Sequence, residues 1–232
     1  MIKQPSPPLS PRRPAQRGAA LLFALLTLVA MLVATLGLVR AVDTGTVLLG
    51  NIGFKQDATA SAEQASRAAI QWLTQNKTAL NSNVIANAYY ASNQEFASDG
   101  VTASAPVDAT GNQLTTSTRQ LIDWDDNNCS SATSGTYASC TIKTASAGTI
   151  NGNQARYVIF RLCSKAGDFS TDPSNNCAKP MMSSDSSATG RGSVDYTNYT
   201  RFTSAAGPYY RIVVRALGAR NTASFTETIV HF

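Results

Sequence analysis

"RGAALLFALLTLVAMLVATLGLVR", residues 17–40, is an uncharged apolar run held between two arginines, Arg17 and Arg40. A helix over residues 19–39 would be about 31 Å long at about 1.5 Å per residue, which matches the hydrocarbon thickness of a bilayer. The run therefore predicts a membrane-spanning helix close to the start of an otherwise polar chain.

Three fates are open to such a segment. A cleaved secretory signal has a shorter apolar core, and Val39-Arg40-Ala41 would be a poor small-x-small cleavage site. A permanent anchor is the simplest alternative. A helix that later packs against other helices is the third, and it is favoured by small and polar residues within the run: Ala19, Ala20, Ala24, Thr27, Ala30, Ala34, Thr35 and Gly37.

The positive charge of the chain is concentrated ahead of this run. Residues 1–18 contain four basic and no acidic side chains, whereas residues 19–232 contain 15 basic and 14 acidic ones. Without a basic stripe in the main body, direct binding of nucleic acid is not expected. The excess of arginine and lysine places the N-terminal side in the cytoplasm.

The four cysteines, Cys129, Cys140, Cys163 and Cys177, all follow the apolar run. Their spacing lacks the close C-x2-C pairs typical of thiolate metal sites, so disulfides in an oxidising compartment are the better interpretation. Reduced, buried cysteines are the alternative. Of three possible connectivities, sequential pairing closes the shortest loops, and each bridge would stabilise the fold by roughly 3 kcal/mol.

The residues after the span predict a weak helical segment followed by an amphipathic helix. Gly45, Gly50 and Gly53 each cost a helix about 1 kcal/mol, so residues 43–56 are expected to be weak helix or locally unwound. A helical period then returns over residues 56–76, with its apolar positions at steps of three and four: Ala58, Ala62, Ala65, Ala69 and Trp72. This stripe is expected to cover a sheet.

Strand patterns dominate the C-terminal part. Alternation over 155–163, 209–217 and 223–232 predicts strands, the last two joined by a hairpin turn at 218–222, and 139–145 is a further candidate. Residues 77–154 are expected to be loop-rich with one short helix near 84–97, and 164–193 a long polar loop. The fold class is therefore α+β, a long N-terminal helix packed on an antiparallel sheet.

Little in the sequence suggests catalysis, a cofactor or a metal. The single histidine, His231, is expected on a surface or edge strand. "DWDDNN" (123–128) places Asp123, Asp125 and Asn127 as a calcium loop begins, but Asn128 replaces the required glycine and Ser134 the bidentate glutamate. No phosphate-binding loop or nucleophile elbow is present. We expect neither enzymatic activity nor a cofactor.

A basic leader ending in "QRG", an uncharged helix directly after that glycine, and "VRAVDTGTVLLGNIGFKQDATASAEQA" together resemble the type IV pilins, and within them the PilX-like minor pilins. The resemblance is strongest over residues 12–70, moderate in the C-terminal "NTASFTETIVHF" and weak between them. It implies a pilin-like fold with four parts: a cleaved leader (1–18), a transmembrane and filament-core half of the helix (19–53), an amphipathic half (54–80) and a globular domain (81–232).

The resemblance also implies processing and partners. A prepilin peptidase would cut between Gly18 and Ala19 and methylate the new N-terminus, leaving a mature chain that begins at Ala19. The chain would start in the inner membrane with its domain in the periplasm, then join a surface filament. Its implied partners are the other minor pilins, the major pilin, the inner-membrane assembly platform and, as a candidate, a tip adhesin.

One position departs from most pilins. Their fifth mature residue is a glutamate that neutralises a neighbour's N-terminal amine, and here it is Phe23. A carboxylate in an apolar core is costly unless it is paired, so its loss suits a subunit with no amine to meet, such as one at the filament tip. PilX-like pilins and the K-type pseudopilins of type II secretion often lack this acid. A membrane-tethered periplasmic binding module remains a further alternative.

Overall fold

A computed structural model describes residues 19–113, 117–183, 202–204 and 207–231. The chain divides into two compact units, Met1–Asn51 and Ile52–Phe232. The predicted leader, including Gly18, lies outside the described residues.

The first element is one helix, α1 (Ala19–Gln75), of 57 residues. It continues without a break through Gly45, Gly50 and Gly53, so local unwinding of residues 43–56 is not observed and the helical alternative holds. Each glycine lowers helix stability by about 1 kcal/mol, but good helix formers such as Leu48 and Leu49 lie between them. No side chain packs close enough to these glycines to displace the backbone.

Within the second unit, α1 packs one face on a sheet. Its buried residues recur at helical spacing: Ala58, Ser61, Ala62, Ala65, Ser66, Ala69 and Leu73. Because most are alanines, the helix backbone can approach the strands closely, and the larger side chains of this core come from the sheet. The amphipathic helix predicted over 56–76 ends at Gln75 and is followed by a 3-10 turn, Lys77–Ala79.

The main sheet has five strands: β1 (Tyr89–Tyr90), β5 (Ala145–Ile150), β6 (Asn153–Arg161), β9 (Tyr209–Leu217) and β10 (Ala223–His231). Their order is β1–β6–β9–β10, with β5 also paired to β6. Strands β5, β6, β9 and β10 are antiparallel, as expected, but β1 is parallel to β6. The sheet is therefore mixed, because a long connection brings β1 beside β6 in the same direction.

A second sheet of three short strands covers part of the opposite face. It contains β2 (Val107–Asp108), β3 (Gln120–Asp123) and β4 (Ser139–Lys143), all parallel. The two sheets pack through large apolar side chains, namely Ile122, Trp124 and Ile142 against Val158, Phe160 and Val213 of the main sheet. The second unit thus has three layers, with the helix and the small sheet on opposite faces of the main sheet.

Two predicted segments differ from the structure. The helix expected near 84–97 is only a 3-10 turn, Ile85–Asn87, because β1 follows almost at once. Within the loop expected at 164–193, residues 181–183 instead form strand β7 (Met181–Ser183), which pairs with β8 (Phe202–Ser204). Residues 184–193 lie outside the described part of the chain.

Candidate functional site

The N-terminal half of α1 exposes apolar side chains around its whole circumference. In the described part of the chain it belongs to the one helix long and apolar enough to cross a membrane, and none of its most apolar stretch is buried. Phe23 is 68 % exposed and Leu36 57 %. Monomeric soluble proteins do not present apolar surface on this scale, so this half of the helix is a candidate membrane span.

The threonines of this half hide their hydroxyls against the helix itself. Thr27 Oγ1 donates to the Ala24 carbonyl and Thr35 Oγ1 to the Leu32 carbonyl, both at 2.9 Å. Thr44 Oγ1 repeats the pattern with the Arg40 carbonyl at 2.9 Å. Such back-bonding satisfies each hydroxyl without a partner from outside, so the surface offered to the surroundings is effectively apolar.

The processing residues expected at the start of this helix are only partly described. Ala19 is the first described residue and lies within α1, so the expected cleavage next to it stays a prediction. Gly18 lies outside the described residues. Phe23 lies within α1, and its side chain is exposed.

Both disulfides are present and follow the sequential connectivity. Cys129 is bonded to Cys140, which links the loop after β3 to β4. Cys163 is bonded to Cys177 and closes the base of the polar loop that begins at Ser164. No free cysteine occurs among the described residues, so none of these sulfurs is available as a nucleophile or thiolate ligand.

The calcium candidate at 123–128 is organised by hydrogen bonds and a lysine. Asp123 is buried, and its carboxylate accepts the backbone N–H groups of Asn127 and Asn128, each at 3.0 Å, and Lys143 Nζ at 2.6 Å. Burial alone would raise the pKa of Asp123, but Lys143 and the two N–H groups outweigh it and lower that pKa. Asp125 pairs instead with Arg215.

One group of metal-type ligands comes together at this loop. An oxygen of Asp123 and the sulfurs of Cys129 and Cys140 lie within 4.8 Å of one another. The two sulfurs are bonded to each other, so they cannot serve as thiolates. With Asp123 already paired to Lys143, this trio is a structural cluster.

His231 lies on β10, at the edge of the main sheet, where an edge-strand side chain was expected. Its ring makes an edge contact with Tyr209, the ring centroids being 5.8 Å apart. Tyr209 is also its partner in the strand register. These contacts assign His231 a packing role.

One buried, extensively hydrogen-bonded residue, Arg161, was not singled out as a site from the sequence. Arg161 is completely buried and donates to the carbonyls of Ala91 at 2.9 Å, Leu80 at 3.0 Å and Gly167 at 2.7 Å. Burial lowers the pKa of its guanidinium. The alternation of β6 placed Arg161 on the face of Tyr157 and Ile159, which was the available signal for its burial. It joins the segment after α1 to the disulfide-closed loop.

Comparison with protein-family models, curated proteins and solved structures finds no match to this chain.

Proposed function

We propose that this chain is a minor pilin of a type IV pilus, similar to the PilX-like group, which primes pilus assembly at or near the filament tip. Assembly would proceed by helix packing and would not require catalysis by this subunit. The exposed half of α1 would pack beside the helices of other pilins, and the second unit would remain outside the membrane. Twitching motility, adhesion and DNA uptake are the functions such a filament would support.

The observation that carries this proposal is the length of exposed apolar helix. Val47, Leu48 and Leu49 are 62 %, 63 % and 69 % exposed, although they follow the uncharged run that already fills a bilayer. At about 1.5 Å per residue, residues 19–51 extend for about 50 Å, against about 30 Å of hydrocarbon. A simple tether has no use for the additional apolar surface, whereas a filament subunit would bury it against neighbouring helices.

The disulfides agree with the orientation required by the proposal. Both bridges lie in the second unit, and disulfides persist in oxidising compartments such as the bacterial periplasm. The arginines ahead of the span favour a cytoplasmic N-terminus by the positive-inside rule. The inner membrane, and then the pilus, would be the successive locations of the chain.

The decisive experiment is an intact-mass measurement on protein extracted from the membrane of its natural host. The proposal expects a chain that lacks the mass of residues 1–18, begins at Ala19 and carries one N-terminal methyl group. A Gly18→Leu variant is the matched control and should keep the leader. Recovery of the native protein with residues 1–18 still attached would contradict the proposal and support a membrane-tethered binding module.

The role of Phe23 is tested separately by complementation. In a strain lacking this gene, the native chain should restore the number of surface pili, and Phe23→Glu should bring no improvement over it. A Phe23→Leu variant controls for the loss of the ring. A clear gain in pilus number with glutamate would indicate a repeating subunit that needs a partner for its neighbour's amine.

The absence of an acid at Phe23 equally suits a K-type minor pseudopilin of type II secretion. Such a protein would share the cleavage between Gly18 and Ala19. Deletion distinguishes the two assignments: loss of pili with normal protein secretion supports the pilus, and loss of secretion with normal pili supports the secretion system.

A further inference from the structure

The ammonium of Lys143 contacts the first and last residues of the oxygen-rich loop at 123–128. Lys143 Nζ lies 2.6 Å from Asp123 Oδ2 and 2.6 Å from Asn128 Oδ1. The side chain of Asp123 is 0 % exposed, whereas that of Lys143 is 32 % exposed. One positive charge at the surface therefore bridges a buried carboxylate and an amide oxygen, the two ligand types that a hard cation would use.

The position of this ammonium is fixed by neighbouring strands. Asp123 and Lys143 are register partners in the parallel pair β3–β4. The backbone N–H of Lys143 donates to the hydroxyl of Tyr90 at 2.6 Å, and Thr144 Oγ1 donates to the Asp123 carbonyl at 2.9 Å. The Cys129–Cys140 disulfide joins the end of the loop to the same strand as Lys143. The strand pairing, these hydrogen bonds and the disulfide therefore hold the Lys143 ammonium next to the loop.

A buried carboxylate requires such a charge. An ionised carboxylate without a counter-charge is strongly unfavourable inside a protein, and two backbone N–H groups offset only part of that cost. In metal-binding loops a divalent cation supplies the compensation. Here the lysine does so from within the chain.

We propose that Lys143 acts as the built-in cation of the 123–128 loop, which makes the loop independent of calcium and leaves a latent metal site beneath the ammonium. The site would take a hard cation of the calcium or lanthanide class once the ammonium is removed. Asp123 Oδ2 and Asn128 Oδ1 would be its first protein ligands, with water completing the shell. This inference concerns the second unit alone and holds whether or not the chain is a pilin.

The test uses the full chain purified in detergent, with terbium as the probe. Trp124 adjoins Asp123 in sequence and can sensitise terbium luminescence from this loop. Native protein should show only background luminescence and the same Tm in calcium chloride as in EGTA. Lys143→Met should show roughly tenfold more luminescence, reversed by excess calcium, and a Tm that rises with calcium because an ion bound only to the folded state stabilises it.

Three further variants complete the experiment. Lys165→Met removes an ammonium paired 2.7 Å from Asp172, whose side chain is 41 % exposed, and should show no gain in luminescence. Asp123→Asn combined with Lys143→Met should abolish the gain. Lys143→Gln, which keeps a donor toward Asp123, replaces Lys143→Met if the latter does not fold, and should gain luminescence to a smaller extent.

The outcomes divide clearly. Terbium luminescence in the native protein that Asp123→Asn abolishes, or a calcium-dependent Tm of the native protein, would overturn the proposal because the loop would then bind a metal beside the lysine. A folded Lys143 variant with no gain over Lys165→Met would also overturn it. A gain confined to the Lys143 variants and dependent on Asp123 supports it.

Discussion

The two halves of α1 are continuous in backbone and opposite in side-chain environment. Residues 58–73 bury one stripe of alanines against a sheet and direct charged residues such as Glu63 and Arg67 to solvent. Residues 19–51 carry exposed leucines and valines on every side. Both halves are therefore helical, and they differ in which surface covers their apolar side chains. The sheet of the same chain covers the apolar stripe of the second half, whereas the first half needs lipid or another protein to cover its apolar side chains.

The comparison predicts that a charge on the buried stripe disrupts the second unit. Ala65 is 0 % exposed and packs on the sheet, so Ala65→Asp should destabilise by about 4 kcal/mol through an unpaired buried charge. Ala68→Asp, on the exposed face of the same helix, should cost no more than about 0.5 kcal/mol. Urea unfolding followed by tryptophan fluorescence measures both values. Equal effects would show that the stripe is not packed.

A substitution at Arg161 tests how much its buried hydrogen bonds stabilise the second unit. Arg161→Met keeps much of the volume but removes the guanidinium donor from the carbonyls of Leu80, Ala91 and Gly167, of which Leu80 keeps the hydrogen bond from the Tyr89 hydroxyl. We expect a loss of about 3 kcal/mol by the same urea assay. The exposed Arg67→Met is the control and should change stability by less than about 0.5 kcal/mol. A small loss for Arg161→Met would mean that water replaces the guanidinium.

A matched glycine pair measures how tightly a surface loop is docked. Gly100 has φ +72, and an added Cβ would lie 2.9 Å from Ser164 Oγ, whereas Gly111 has φ +77 and open space around it. Gly111→Ala should cost about 1 kcal/mol for its left-handed backbone alone. Gly100→Ala should cost about 1 kcal/mol more because Ser164 must move. Identical losses in thermal unfolding would show that Ser164 rotates away freely.

Acid should lower the stability of the second unit and leave the apolar half of α1 helical, and this is the smallest expected effect. The pKa of Asp123 is lowered in the folded state, and hydrogen bonds from Thr102 and the backbone hold the pKa of the exposed Asp99 at about 2. A lowered pKa stabilises the fold above the unfolded value, near 3.9, and this contribution is lost as the pH falls toward the folded value. Tm of the second unit should thus decline below about pH 4.

The helical signal of the first half should persist under the same conditions because its only acidic residue, Asp43, is exposed. Circular dichroism in detergent, recorded beside tryptophan fluorescence, separates the two responses. Asp123→Asn should make the fluorescence transition less dependent on pH. Simultaneous loss of both signals in the native protein would contradict the independence of the two halves.

Sequence patterns predicted the elements that repeat regularly along the chain. Strands β6, β9 and β10 and the amphipathic half of α1 were found from alternation and helical spacing. Strands β1 and β2 were missed because such short strands carry no pattern, and β5, "ASAGTI", because its small residues do not alternate clearly. The parallel placement of β1 depends on the pairing of Tyr89 with the distant Ile159, which local periodicity does not encode.

Some features of the candidate sites were likewise predictable from the sequence, and others were not. The apolar span and the cysteines were evident from composition, and the shortest-loop argument favoured the disulfide connectivity that the structure shows. Lys143 was missed because it is far from Asp123 in sequence, and only the β3–β4 pairing brings them together. Unwinding at Gly45, Gly50 and Gly53 was the less accurate alternative because glycine lowers helix stability without forbidding helical dihedrals.

The threonines of the apolar half have a consequence for transfer between environments. Since Thr27 and Thr35 already donate to carbonyls of their own helix, neither hydroxyl must exchange a partner when the helix leaves one apolar medium for another. The free-energy difference between lipid and protein surroundings is then set by van der Waals contact and by the freedom of the displaced lipid chains. Such a helix would keep the same conformation in lipid and in protein surroundings, and the balance between the two would depend on which offers the better contact surface.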